Sequence, residues 1–191
     1  LCGAVVGSRM LGELFVRFMD RRTALGMMHF GDAPDAGYTA GGQTVWINNE
    51  YDHAHICAQF YFQTGERAAL ESSLAAGRHW MDVDLCHFSP DPLQHGGLWS
   101  HAACHAPAVG TPGGVTPSHE WVDGFLDYYF LTGRREGLDA AVSVAENVLR
   151  QLNLEILRDI AQLSIRELGW ALETLVAMAL STGEQRWKDA A

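Results

Sequence analysis

The sequence predicts an all-α fold, an (α/α) toroid built from helical hairpins, because one type of turn recurs three times along the chain. Each turn is a Thr-Gly pair that ends an apolar helical pattern and precedes an amphipathic one. Glycine is favoured just past the C-terminus of a helix, since it adopts the left-handed conformation without a Cβ clash. The pairs are Thr64-Gly65, Thr132-Gly133 and Thr182-Gly183.

The helical patterns on the two sides of each turn differ, so we expect two layers of helices. Before a turn, as from Phe125 to Leu131, apolar residues occupy nearly all sides of the helix, which is typical of a buried helix. After a turn, as from Arg67 to Arg78, charged residues lie on one face and alanine or leucine on the other. The first group is predicted to form an inner layer and the second an outer layer.

The turns begin at positions 64, 132 and 182, and this uneven spacing argues against a regular solenoid. A tetratricopeptide-like array would keep a period of about 34 residues. Long, unequal intervals favour a toroid whose hairpins are separated by loops of variable length. A closed ring of this kind needs more hairpins, so we expect residues 1–191 to form one partial toroid domain of three hairpins.

The segments between the turns are predicted in chain order. Glu13–Leu25 is predicted to be helical, and Gly26–Gln43 is predicted to be irregular or a short extended structure. The segment 81–118 holds most of the prolines and many glycines, so it is predicted to be a long loop. Loops of this length inside a compact domain tend to be functional. Gln151–Leu163 has the polar-apolar pattern of another helix.

Composition excludes several classes of function. The formal net charge is −10, with one lysine against twelve arginines, so we expect no nucleic-acid partner. No apolar run reaches the length of a membrane span, and residues 1–12 lack the features of a signal peptide, so we expect a soluble chain without a membrane partner. Its location, cytoplasmic or secreted, stays open. The four cysteines form no CxxC pair, and Cys57 fits an apolar helix as a small buried side chain.

Polar residues are concentrated in the stretches that precede the buried helices. These stretches are Trp46–His55, Pro117–Gly124 and Ser164–Trp170. In a ring of hairpins, such residues lie at one end and face the centre. We therefore expect one concave polar site that collects all three stretches.

The first stretch is the densest in side chains that bind sugars or move protons. Its members are Asn48, Asn49, Glu50, Tyr51, Asp52, His53 and His55. A purely structural alternative is that an asparagine caps the helix while Glu50 and Asp52 favour its positive N-terminus. Capping alone does not account for so many polar residues ahead of a buried helix.

Two further groups of residues could carry chemistry. Asp82, Asp84 and His87 follow His79 and could supply oxygen and nitrogen ligands to a divalent cation such as calcium. The alternative is that the aspartates bind loop backbone while His87 packs. His101, His105 and His119 suit general acid-base chemistry because the histidine pKa is near neutrality. His29 and His95 are predicted to be ordinary hydrogen-bonded polar residues.

Four tryptophans flank the polar stretches, and aromatic faces beside carboxylates and amides are typical of sugar sites. They are Trp46, Trp80, Trp99 and Trp121. The alternative is that they fill the core, as we expect for Trp170 and Trp187.

Several motifs resemble the C-terminal α/α toroid domain of YetA-like proteins and exo-acting rhamnogalacturonan lyases. They are MHFGD (28–32), W-x-NNEYD (46–52), RHW-x-DVD-x-x-H (78–87), SHEWVDGFLDYYFLTG (118–133) and the GWALETL run from Gly169. The resemblance implies release of a terminal disaccharide from the rhamnogalacturonan I backbone by β-elimination at galacturonate, without water. The implied partner is an oligo- or polysaccharide.

β-Elimination requires neutralisation of the uronate carboxylate, abstraction of the C5 proton and protonation of the departing O4 oxygen. Asn48, Asn49, Arg166 or a bound cation could perform the first task, and His105, His119 or Tyr51 the other two. Trp46, His53, His101, Glu120 and Trp121 are candidates for substrate binding.

Two alternatives remain open from the sequence. A toroid glycoside hydrolase would need paired carboxylates, for which Glu50, Asp52, Asp84 and Glu120 are candidates. A non-catalytic helical scaffold would bind protein or carbohydrate on its concave face.

Overall fold

The computed structural model describes residues 27–40, 42–102, 105, 114–153 and 165–191. Within them, strands β1 (Pro34–Ala40) and β2 (Gln43–Trp46) form a two-stranded antiparallel sheet. The helices are α1 (His53–Thr64), α2 (Arg67–His79), α3 (Asp123–Thr132), α4 (Arg135–Leu152), α5 (Ile165–Thr182) and α6 (Gln185–Ala190). The prediction of an all-α fold is confirmed. The predicted helix Glu13–Leu25 and most of Gln151–Leu163 lie outside the described residues.

The six helices form three hairpins, and each hairpin turns at one of the Thr-Gly pairs. Gly65, Gly133 and Gly183 have φ values of 71°, 70° and 72°, the left-handed region that glycine adopts most readily. The threonine before each glycine has a repeated role. Its hydroxyl donates to the carbonyl four residues earlier and accepts the amide two residues later, at 2.6–3.2 Å. The turn is therefore closed by side chain as well as backbone.

The inner helices lie side by side in chain order. Helix α1 contacts α3, and α3 contacts α5, while α4 packs between its own hairpin partner and α5. This order is what a toroid requires, and closure of a ring stays a prediction.

The core lies between the inner helices and α4. Phe125 of α3 and Met178 of α5 are fully buried, and Val144 of α4 faces them from the outer layer. Trp187 of α6 is fully buried, as expected of a core tryptophan, and Cys57 is buried in α1. Burial of this apolar surface provides the main favourable free energy for folding.

The segment predicted as a long loop is irregular in most of its described part. It begins with a π-helical turn, Trp80–Asp84, and ends with a 3-10 turn, Pro117–His119. Single β-bridges join Leu85 to Leu98 and Trp46 to Ala102. One bridge joins two parts of the loop, and the other joins the loop to β2.

Among the described residues, none of the helices combines the length and the apolar character that crossing a bilayer demands.

Candidate functional site

The three polar stretches meet at the N-terminal ends of α1, α3 and α5, around the carboxylate of Glu50. Oε1 of Glu50 lies 2.9 Å from Nη2 of Arg166 and 3.3 Å from Nε2 of His119. Its Oε2 lies 3.6 Å from Nδ1 of His101. One residue from each predicted stretch, together with a histidine of the long loop, thus shares a single carboxylate. We call Glu50, His101, His119 and Arg166 the Glu50 cluster.

Glu50 is presented by a turn of unusual backbone geometry. Asn48, Asn49, Tyr51 and Asp52 all have positive φ values, between 47° and 58°, although none of them is glycine. Such residues cost about 1–3 kcal/mol each and persist where the surrounding structure enforces them. Here the enforcing group is the carboxylate of Asp32, which accepts the backbone amides of Asn48 and Asn49 at 3.1 and 3.2 Å.

Asp52 fixes the start of two inner helices. Its Oδ1 accepts the amide of His55 and so caps α1, while its Oδ2 accepts the amide of Gly124 in the first turn of α3. Burial raises the pKa of this carboxyl to about 7. The contacts of Asp52 are those of a helix cap, as the structural alternative predicted. Its buried side chain is not accessible to a substrate.

His119 is oriented from its far side. Nδ1 lies 3.2 Å from the hydroxyl of Thr116 and 3.1 Å from that of Ser118, so Nε2 faces Glu50. The amide of Ser118 donates to Glu167 of α5 at 2.8 Å. This contact ties the 3-10 turn that carries His119 to the helix that carries Arg166.

The charges around Glu50 favour its ionised form. Burial opposes ionisation, but the hydrogen bond and charge of His119, the charge of His101 and the guanidinium of Arg166 outweigh it and lower the pKa of Glu50. The carboxylate is then a fixed negative group that orients three cationic or potentially cationic side chains.

An aromatic surface adjoins the Glu50 cluster. Tyr51 is 51% exposed, and its ring lies 5.8 Å from the ring of Trp121 and 6.2 Å from that of Trp170. The guanidinium carbon of Arg166 lies 5.4 Å from the centre of the Tyr51 ring, within cation–π range. Trp121 itself is almost fully buried and stacks on Trp80. Tyr51, predicted as a catalytic residue, thus offers an accessible ring face, whereas Trp121, predicted to bind substrate, is buried and packs against Tyr51.

Several predicted ligand-binding residues are instead parts of the interior. The side-chain amide of Asn48 donates to the carbonyls of Trp99 and Ser100, and that of Asn49 to the carbonyl of Ala76. His53 is fully buried, and burial lowers its pKa to about 4. Trp46 stacks on His29 with ring centres 4.1 Å apart. Three of these four residues, which were predicted to bind substrate directly, have no exposed side-chain surface. Trp46 is partly buried.

Glu120 and His105 are also placed away from the Glu50 cluster. Glu120 is fully buried, and its Oε2 accepts a hydrogen bond from the side-chain amide of Gln151 in α4 at 3.4 Å. Burial raises the pKa of this carboxyl well above its usual value. His105 is 1% exposed and contacts Asp84 and His79 instead. The prediction that His105 acts as a base on the substrate is therefore corrected, because its ring is buried.

The predicted metal set of Asp82, Asp84 and His87 is not assembled. Asp82 is exposed and pairs with Arg78, and His87 is exposed with Nε2 near the carbonyl of Met81. Both line an open groove of about 370 Å³ between α2 and α4. Asp84 is fully buried on the other side of the π-helical turn. An Asp-x-Asp spacing does not bring both carboxylates together here because the turn directs the two side chains apart.

The inner helices carry a set of equivalent polar residues, of which only His55 was named in the polar stretches predicted from the sequence. His55, Asp123 and Glu173 each stand nine residues before the threonine of a turn, so they are equivalent positions of the repeat. His55 pairs with Asp127 at 2.6 Å, which with nearby carboxylates raises its pKa to about 9 against the opposing effect of burial. Burial and the carboxyl of Asp123 raise the pKa of Glu173 to about 9. Aligning the three turns would have identified this set.

Asp35 is another residue that the sequence did not single out. Its Oδ2 lies 3.8 Å from Nδ1 of His101, and Asp35, Glu50 and His101 each offer a donor atom within 4.8 Å of the others. This trio could hold a cation at the edge of the Glu50 cluster.

Comparison with models of known protein families gives no match, and neither does comparison with curated proteins.

Proposed function

We propose that this chain carries the substrate site of a polysaccharide lyase that cleaves a uronic-acid-containing backbone of the rhamnogalacturonan I type by β-elimination. The observation that carries the proposal is the convergence of His119 and Arg166 on the carboxylate of Glu50, with the exposed ring of Tyr51 beside Arg166. The motif resemblance to exo-acting rhamnogalacturonan lyases points to the same reaction.

Each task of the elimination has a candidate group. Arg166 is the cation that neutralises the uronate carboxylate, because a guanidinium binds a carboxylate in a two-pronged geometry. Its side chain is 38% exposed, so a ligand can reach it without unfolding the site. Neutralisation makes the C5 proton acidic, and the neutral imidazole of His119, which keeps one unprotonated ring nitrogen, is the base that removes it. The electron pair then forms the C4–C5 double bond as the C4–O4 bond breaks.

Tyr51 is the candidate acid for the departing O4 oxygen. Its phenol has a proton to donate, its side chain is exposed, and the guanidinium of Arg166 adjoins its ring. A sugar ring that stacks on Tyr51 would also gain apolar contact with its C–H face. Glu50 holds Arg166 and His119 in place and is a positioning residue in this scheme.

Hydrolysis by paired carboxylates is less well supported by the arrangement. Of Glu50, Asp52, Asp84 and Glu120, only Glu50 is partly exposed, and the other three are at most 6% exposed. A hydrolase needs two accessible carboxyl groups that flank the scissile bond. The scaffold alternative does not explain why titratable groups are gathered beside an open aromatic ring.

The test is incubation of the full-length protein with rhamnogalacturonan I oligosaccharides, with ultraviolet absorbance of the product as the readout. A lyase product carries a C4–C5 double bond conjugated to the carboxylate and absorbs, whereas a hydrolysis product does not. New reducing ends without this absorbance would overturn the proposal in favour of hydrolysis. Binding without either signal would favour the scaffold.

The His119→Ala variant assigns the base, with His95→Ala as the matched control. His95 is an exposed loop histidine whose ring is outside the Glu50 cluster. We expect His119→Ala to lose turnover by about 100-fold or more, which is typical of a removed general base, with unchanged helical content. Equal activity of the two variants would remove His119 from the mechanism.

A further inference from the structure

Four buried side chains outside the Glu50 cluster direct their donor atoms at one point. They are Asp32, His79, Asp84 and His105, which we call the buried His/Asp cluster. Each is at most 1% exposed. They come from the turn before β1, the end of α2, the π-helical turn and the long loop. Because His79 and Asp84 are five residues apart, three parts of the chain that are distant in sequence meet in this buried polar centre.

Five separations between the donor groups are close to the spacing of ligands in a tetrahedral metal site. Nε2 of His79 lies 3.3 Å from Oδ2 of Asp84, 3.9 Å from Oδ2 of Asp32 and 3.3 Å from Nδ1 of His105. Nδ1 of His105 lies 3.5 Å from Asp32 and 3.2 Å from Asp84. Ligands about 2.1 Å from a zinc ion stand about 3.4 Å apart at the corners of a tetrahedron. The observed distances bracket that value.

One carboxylate oxygen in the cluster lacks a hydrogen bond. Oδ2 of Asp84 is buried and accepts no hydrogen bond from any described residue, although it lies beside His79. A buried carboxyl oxygen without a hydrogen bond is costly unless a proton or a cation occupies its lone pair. The oxygen faces the other three donor groups, where a bound cation would satisfy it.

Outer contacts hold two of the donor residues, Asp32 and His105, in place. The backbone amides of Asn48 and Asn49 donate to the carboxylate of Asp32, and Asn48 donates through its side chain to the carbonyl of His105. Nε2 of His105 lies 3.0 Å from Nδ1 of His29. A hydrogen bond on the nitrogen that does not bind metal is the usual support of a histidine ligand.

Charge balance favours a divalent ion. Two carboxylates and two neutral imidazoles carry a charge of −2, which a divalent cation cancels. Two nitrogen and two oxygen ligands in tetrahedral spacing suit zinc, whereas calcium takes six to eight oxygens.

We propose that Asp32, His79, Asp84 and His105 bind one zinc ion in a closed, four-coordinate site. All four positions are occupied by protein, and the donors are sealed from solvent, which is the pattern of a structural rather than a catalytic site. The ion fastens the turn that presents Glu50 to α2 and to the long loop. The proposal is independent of the lyase assignment.

The decisive measurement is metal content of the full-length, tag-free protein after incubation with zinc and dialysis into metal-free buffer. We expect about one zinc per chain, and a melting temperature that falls by about 5–10 °C when a chelator removes it. Absence of retained zinc, with a melting temperature unaffected by both zinc and chelator, would overturn the proposal.

Variants and spectroscopy test the ligand set. Asp84→Asn and His79→Ala should retain less than about a tenth of the zinc, whereas the matched exposed neighbours Asp82→Asn and His87→Ala should retain all of it. If the first pair does not fold, X-ray absorption at the zinc edge of the unmodified protein decides the matter. Two imidazoles and two oxygens support the site, while a sulfur shell or zinc loss in the neighbour variants contradicts it.

Discussion

Arg166 of α5 and Glu50, 116 residues earlier, are joined by a 2.9 Å contact between Nη2 and Oε1. The same carboxylate oxygen faces His119, so one atom of the turn before the first hairpin contacts both the third hairpin and the 3-10 turn before the second. Because these residues are far apart along the chain, only the folded structure brings them into contact.

Replacement of Arg166 should impair catalysis more than folding. We expect Arg166→Ala to lower kcat/KM for lyase turnover by about 100-fold, and Arg166→Lys to recover only part of it, because lysine keeps the charge but not the planar fork. The control is Arg135→Ala, which removes an exposed ion pair with Asp139 on α4. Steady-state kinetics with the ultraviolet readout provide the measurement. Activity of Arg166→Ala within about twofold of the unmodified protein would contradict the assigned role.

Glu173 should make stability fall with rising pH. Its folded-state pKa of about 9 is above the usual value of 4.5, so the protonated form is favoured by folding. That contribution is complete below pH 4.5 and is lost as pH rises towards 9. Because Glu173→Gln imitates the protonated form, we expect its midpoint of urea unfolding to exceed that of the unmodified protein at pH 8 and to match it at pH 4. Parallel pH profiles would refute this assignment.

Asp52 should contribute to stability through its two backbone contacts. Asp52→Ala leaves the amides of His55 and Gly124 without their acceptor, and we expect a loss of about 2–3 kcal/mol in the free energy of unfolding. Asp82→Ala, at an exposed position, should change it by less than about 0.5 kcal/mol. Urea denaturation followed by circular dichroism compares the two. A loss below about 1 kcal/mol for Asp52→Ala would show that water replaces the contacts.

Two glycines on inner helices should respond in opposite directions to alanine. A Cβ at Gly124 would stand 2.4 Å from Oδ1 of Asp52 and 2.7 Å from Cβ of Ala54, so Gly124→Ala should destabilise the protein by about 1–3 kcal/mol. A Cβ at Gly169 meets nothing within 4 Å, and Gly169→Ala should stabilise α5 by about 0.5–1 kcal/mol. Thermal unfolding of both variants checks the signs, and a shared sign would show that one environment is misassigned.

The fold was largely predictable because its signals are local. Each Thr-Gly pair lies between two helical patterns, and both the glycine conformation and the apolar faces follow from residues within a few positions. The approach of Glu50, His119 and Arg166 was also predictable, since all three precede or begin buried helices that pack side by side.

The buried His/Asp cluster was not predictable by the same means. Asp84 and His105 are 21 residues apart in sequence, and no local pattern shows that an irregular loop returns to the end of α2. Asp82 was grouped with Asp84 because spacing alone does not reveal a π-helical turn. Asp32 lies in the MHFGD motif, and its carboxylate accepts a backbone amide of the turn that presents Glu50. The left-handed conformation of that turn is not predictable from the sequence.

The turn at 48–52 has a consequence for ligand affinity. Glu50 is flanked on both sides by left-handed residues, and the carboxylate of Asp32 holds the backbone amides of Asn48 and Asn49. Contacts with Arg166 and His119 hold the Glu50 side chain, so both its backbone and its carboxylate are fixed in the folded chain. A flexible acidic loop would lose conformational entropy when it binds a ligand. This turn has already lost that entropy on folding. Glu50 is in this sense preorganised, and the free energy of complex formation carries a correspondingly smaller entropic penalty at this residue.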